Sequence, residues 1–124
     1  MDSRARILNW SDVEEKVTHG GSATARILLN EDSVGIKAFS LLVNTMKAGL
    51  NCAHDTPGHS HTEEHAIYVL SGYGGVSLDG EIHEVGPHQT VYIPPGVVHY
   101  VYADPGEDLT YLVLYSPAGH EKSL

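Results

Sequence analysis

Short runs of β-branched and aromatic residues alternate along the chain with clusters of glycine, proline and aspartate, the pattern of an all-β sandwich or barrel. The runs predict strands over residues 26–29, 35–44, 65–71, 75–78, 81–85, 90–93, 99–103 and 109–115. Many short strands of this kind fit a closed or double-sheet β fold. Asp79-Gly80 sits between two alternating runs, and a two-residue type I′ hairpin needs positive φ at both central positions, so a tight turn is expected there. Ser11, with Glu14 three residues on, has the form of a capping box and predicts one helical turn over 11–16. Residues 50–58 are polar and turn-rich and read as a loop. Residues 119–124 read as a frayed tail.

The 124 residues leave room for one core, so a single domain carries whatever the protein does. Within it, 1–35 reads as an N-terminal segment, 36–116 as the barrel and 117–124 as the C-terminal tail. No run approaches the roughly 20 apolar residues of a membrane helix. The opening MDSRARILNW lacks the basic-then-apolar layout of a secretory signal, and a cytoplasmic protein is expected.

Charge narrows the partners. The net charge is −9, and six of the seven lysines and arginines precede residue 48, which leaves the later part of the chain strongly acidic. That field is opposite to the basic footprint of nucleic-acid binding, and it disfavours anionic membrane and polyanionic substrates. A small-molecule substrate is the expected partner. The single cysteine, Cys52, excludes an intrachain disulfide and a cysteine-rich zinc site, so any metal rests on histidine and carboxylate.

Such a site is written into the segment from His59 to Gly72. His59 and His61 stand two apart, and an extended backbone points both imidazoles to one face. His65 opens an apolar run in which Ile67 and Val69 share its face, so its ring looks into an enclosed interior and needs a partner there. Farther along, Pro94-Pro95-Gly96 is a rigid turn that launches a strand at His99 and sets where that ring points. A slip of register would offer Glu64 or Glu63 in place of His65. His61 and His65 also have the spacing of a zinc-protease helix, but the glutamate required after the first histidine is Thr62. The other histidines, His19, His54, His83, His88 and His120, read as surface or turn residues, with His54 near enough to the site loop to shuttle a proton. Phe39, Leu41 and Val43 alternate along one strand and are expected, with Tyr68, to wall a substrate pocket.

These residues resemble the cupin superfamily, whose first motif runs G-x5-H-x-H-x3,4-E-x6-G and whose second runs G-x5-P-x-G-x2-H-x3-N. His59, His61 and Gly72 match the first, with His65 at the glutamate position; Pro94, Gly96 and His99 match the second. The departures are that histidine, Gly86 two residues too far from Pro94, Ala103 in place of asparagine and Ala53 in place of the opening glycine. The resemblance spans residues 36–116 and implies a cupin fold, a double-stranded β-helix or jelly-roll barrel. It implies one divalent metal ion (Zn, Mn, Fe, Cu or Ni) on His59, His61, His65 and His99. Four-histidine cupins are similar to zinc polyketide cyclases and to manganese, iron or copper oxidoreductases. The expected activity is therefore Lewis-acid enolate chemistry, cyclase- or isomerase-like, on a small, largely apolar oxygenated molecule, with Glu64 or His54 as base. A metal dioxygenase and a non-catalytic metal- or sugar-binding protein are the alternatives. Related cupins exchange N-terminal strands, which implies a homodimer through residues 4–10.

Overall fold

A computed structural model describes residues 5–51 and 58–123. Nine strands are present among them: β1 (Glu15–Thr18), β2 (Ala23–Leu29), β3 (Ser40–Met46), β4 (Glu64–Ser71), β5 (Gly74–Leu78), β6 (Glu81–Val85), β7 (Thr90–Ile93), β8 (His99–Ala103) and β9 (Leu109–Ser116). They form two antiparallel sheets, of order β1-β2-β3-β9-β4-β7 and β6-β5-β8. After β4 the chain crosses to the second sheet for the β5–β6 hairpin, returns for β7, crosses again for β8 and returns for β9, the two-sheet pattern of a jelly roll. Among the described residues no helix is long and apolar enough to cross a membrane.

The N-terminal third differs from the sequence expectation. The helical turn is three residues of 3-10 helix at Trp10–Asp12, and its cap is Asn9, whose Oδ1 accepts the Ser11 N–H at 3.2 Å. Extended structure takes over because the Arg26 guanidinium on β2 donates to the Val13 carbonyl at 2.6 Å and draws the next residues onto the sheet as β1. The barrel sheet therefore begins at Glu15 rather than at residue 36. The strand expected over 35–44 starts at Ser40, because Asn30 caps a single helical turn, α1 (Glu31–Val34), through a reciprocal bond with Ser33. Gly35 then closes that turn with φ 76°. Residues 5–9 carry no strand in this chain, and Ile7 is 86% exposed.

The hairpin between β5 and β6 forms at the expected place, with φ 49° at Asp79 and 86° at Gly80. It also docks on the second histidine segment. The Asp79 N–H donates to the Val98 carbonyl at 2.7 Å, and its carboxylate accepts the Val98 N–H at 3.0 Å. The turn thereby anchors the residue just before His99.

The core lies between the sheets and includes Leu42, Met46, Ile67, Val69, Val76, Ile93, Val101 and Val113. Complete burial of a leucine or isoleucine contributes about 1.5–3 kcal/mol. On β3 the inward residues are Leu42, Asn44 and Met46, not Leu41 and Val43. β3 lies inside the sheet between β2 and β9 and is apolar on both faces, so alternation alone does not select the inner one.

Glycines allow the closest approaches. Gly72 has φ 87°, and a Cβ there would strike the Asp108 carbonyl oxygen. Left-handed backbone alone costs a residue with a Cβ about 1–2 kcal/mol. Gly72→Ala is expected to lose more than that, read as a lower urea midpoint at unchanged slope. An unaltered midpoint would show that the β4–β5 corner relaxes freely.

Candidate metal centre

Backbone hydrogen bonds assemble the centre before any side chain is considered. His59 and His99 form an isolated antiparallel bridge, His59 N–H to His99 O at 3.0 Å and His99 N–H to His59 O at 2.8 Å. Gly58, at φ 127°, permits this approach, because a Cβ would overlap the His99 carbonyl. The Gly96 N–H of the Pro-Pro-Gly turn donates to the His61 carbonyl at 2.9 Å. His65 is paired between Ile93 on β7 and Tyr115 on β9. Four histidine backbones are thus tied to one end of the barrel.

Their rings converge. Ligand atoms of His59, His61 and His99 lie within 4.8 Å of one another. The His65 ring centroid is 5.2 Å from that of His61 and 5.3 Å from that of His99. Tautomers are set from outside: His99 Nδ1 donates to the Val97 carbonyl at 2.9 Å and His61 Nδ1 to the Glu63 carbonyl at 3.1 Å. This leaves Nε2 of each as the atom with the free lone pair. His61 Nε2, His99 Nε2 and both nitrogens of His65 are buried with no hydrogen-bond partner. An unmet buried polar atom costs about 1–3 kcal/mol, and a group of them facing one another calls for a shared partner. A cation is that partner, so the residues present fit a metal ion and are able to hold one.

Electrostatics point the same way. Burial, with the neighbouring imidazoles His99, His19 and His61 next, pushes the His59 pKa down from 6.5 to about 4. Burial and the same crowding lower that of His65 to about 2. His99 is lowered mainly by burial, against the Val97 carbonyl that favours its charged form. Neutral imidazole is the ligating form, so the site is ready for a metal at neutral pH.

Residues 51–115 match the Cupin_2 cupin-domain family, more than half of the chain. The chain belongs to the cupin family. This cupin is 38% identical over 114 residues to the uncharacterized protein MJ1618 of Methanocaldococcus jannaschii, covering 90% of this chain and 87% of that one. It is similar to the polyketide cyclase RemF from Streptomyces resistomycificus, at 30% identity and a TM-score of 0.79, over 90% of this chain and 79% of that one. A predicted oxalate decarboxylase from Thermotoga maritima shares the fold at 18% identity and a TM-score of 0.77, over 90% of this chain and 99% of that one.

The cupin brings His59, His61, His65 and His99 together and sends the other candidates elsewhere. Glu64 lies on the opposite face of β4 from His65, where it is exposed and its carboxylate accepts the Tyr92 hydroxyl at 3.4 Å. Tyr68 shares that outer face, 37% exposed, with its hydroxyl 3.0 Å from His88 Nδ1. Residues two or four apart on one strand share a face, so a strand that directs His65 inward directs both of these outward. Phe39 precedes β3, and it, Leu41 and Val43 are not among the cavity-lining residues, because the inner face of β3 is the even-numbered one. His54 and Cys52 lie outside the described residues.

The lining of the central cavity is Asn44, Ile67, Val101, Tyr111, Val113 and Tyr115 with His19, His59, His65 and His99. Its free interior of about 10 Å³ is the space of roughly one water-sized body. His19 and His120, read from sequence as surface residues, belong to the site: His19 stacks 6.3 Å from His59, and the His120 ring lies 4.3 Å from that of His61. Neither is marked by a local motif. His19 comes from the turn between β1 and β2, and His120 from a 3-10 turn, His120–Ser123, where a frayed tail was expected.

Below pH 6.5 the unfolded chain protonates histidines that the folded, metal-free protein keeps neutral. Folding then releases protons, and stability falls as pH drops from about 6.5 toward about 4 for His59 and lower still for His65. The urea midpoint of metal-free protein is expected to fall between about pH 7 and about pH 5, with a smaller fall in His65→Gln. A midpoint that stays level over this range would mean that the folded protein accepts those protons.

Proposed function

We propose that this cupin is a metal-dependent enzyme that binds a small, largely apolar, oxygenated organic molecule at a divalent ion held by His59, His61, His65 and His99. The observation that carries this reading is the set of buried, unpartnered imidazole nitrogens facing one another at the barrel end. When bound, the ion supplies Lewis acidity, drawing electron density from a substrate oxygen and easing loss of a neighbouring proton. Four neutral ligands leave its positive charge undiminished for that purpose. Such chemistry is cyclase- or isomerase-like, and the 30% identity with a polyketide cyclase supports it.

The chain's own residues fit the rest of the task. Ile67, Val101 and Val113 give the cavity apolar walls that exclude water from the reacting group. Asn44 is buried beside them, and its Oδ1 has no partner, which offers an acceptor to a water or hydroxide, the size of body that the cavity admits. Glu64 faces away and His54 lies outside the described residues, so among the described residues the proton falls to an imidazole outside the ligand set. His19 lines the cavity beside His59 from a left-handed backbone, φ 51°, between Thr18 and Gly20, and is the group placed to accept it.

Protein purified without added metal is expected to carry about one zinc per chain, read by elemental analysis. Iron, manganese or copper at that stoichiometry would direct the assignment to oxygen-dependent oxidoreductase chemistry. His61→Ala and His99→Ala are each expected to lose both the metal and the zinc-dependent exchange of deuterium into a 1,3-diketone. His19→Gln should keep the metal and slow that exchange by about 10²–10⁴-fold, the usual contribution of a general base. Full exchange activity in metal-free protein would overturn the reading.

A further inference from the structure

Glu63 and His120 form a cluster with His61, whose Nδ1 faces the Glu63 carboxylate. Ligand-type atoms of the three lie within 4.8 Å of one another. The Glu63 carboxylate is 3.7 Å from His61 Nδ1 and 3.6 Å from His120 Nδ1. His120 also packs against Tyr115, ring centroids 4.7 Å apart, and Tyr115 in turn lies 4.6 Å from the His65 ring. These three residues are poorly suited to a second ion, because His61 Nδ1 already donates to the Glu63 carbonyl. A carboxylate beside that N–H instead strengthens the ring as a donor through Nε2 and holds its plane.

The segment that delivers His120 is docked, not loose. The Ala118 N–H donates to the Lys37 carbonyl at 3.1 Å. The Gly119 N–H donates to the buried Glu121 carboxylate at 2.9 Å, and the Lys122 N–H to the Gly119 carbonyl at 3.1 Å.

We infer that Glu63 and His120 are positioning residues for His61, and that the C-terminal turn and the metal centre are therefore energetically coupled: the docked turn tightens metal binding, and bound metal tightens the turn. This rests on the metal reading above. His120 acts through Glu63, keeping its carboxylate against His61 Nδ1 rather than in solvent, and through the face of the ring on which it packs. Coupling of this kind is reciprocal by thermodynamic necessity, so it has a signature that a merely structural contact lacks.

The experiment uses the full chain and zinc alone. Zinc affinity is measured by chelator competition for wild type, His120→Ala, His120→Gln and Glu63→Gln, with the metal-free melting temperature of each as a check on folding. Backbone amide exchange over residues 118–123 is followed in wild type with and without zinc. Affinity is expected to fall by about 10-fold in His120→Ala and Glu63→Gln, the lower end of what outer-shell changes cost because the Glu63 carbonyl still holds His61 Nδ1, with partial recovery in His120→Gln. Zinc is expected to slow exchange in the wild-type turn. Equal zinc affinity across the variants, or wild-type exchange that is indifferent to bound zinc, overturns the coupling while leaving the metal site intact. Wild type that binds no zinc overturns both. The wild-type exchange result stands even if a variant does not fold.

Discussion

The two backbone hydrogen bonds between His59 and His99 are the constraint on which the site depends. They join segments far apart in sequence, and they place the first histidine pair against the start of β8. Everything around them serves that approach. Gly58 removes the Cβ that would block it, the Asp79 turn anchors Val98, and Gly96 binds the carbonyl of His61. The rings meet because their backbones are held in register. A side-chain cluster on unpaired loops would lose that geometry to conformational entropy.

Convergence of this kind is unfavourable without a ligand. Buried imidazoles lower one another's proton affinity and leave nitrogens that no protein group satisfies. The barrel core offsets this by its own burial, and the histidine-lined end is where the favourable energy of the fold is given up locally. A cation resolves the conflict, since it pairs with the lone pairs that protonation would otherwise need to occupy. Stability, pH response and metal affinity are consequently one linked property.

The second feature of the site is that the ends of the chain help build it. The β1–β2 turn brings His19 to the cavity, and the C-terminal turn brings His120 against the His61 ring. The two motifs supply the four converging histidines, and segments outside them supply the groups beside those rings. Differences among cupins in chemistry are expected to reside in such additions, because the barrel and its ligand positions leave little else to vary.

The sequence by itself determined what depends on local geometry. The spacing of His59 and His61, the apolar alternation after His65, the Asp79-Gly80 hairpin and the Pro-Pro-Gly turn before His99 each follow from a strand period of two or from the φ demands of a turn, and each is present. The cupin fold and the convergence of four histidine rings at one end of the barrel were therefore legible. Tertiary structure decided what depends on neighbours far away in sequence. The inner face of β3 was not legible because an interior strand is apolar on both sides, and Val43 is buried on the wrong one. The strand at Glu15 arose because Arg26 captures the Val13 carbonyl, which overrides a local capping signal. His19, Glu63 and His120 reach the site through a sheet pairing and a docked turn, contacts that no short window of sequence contains.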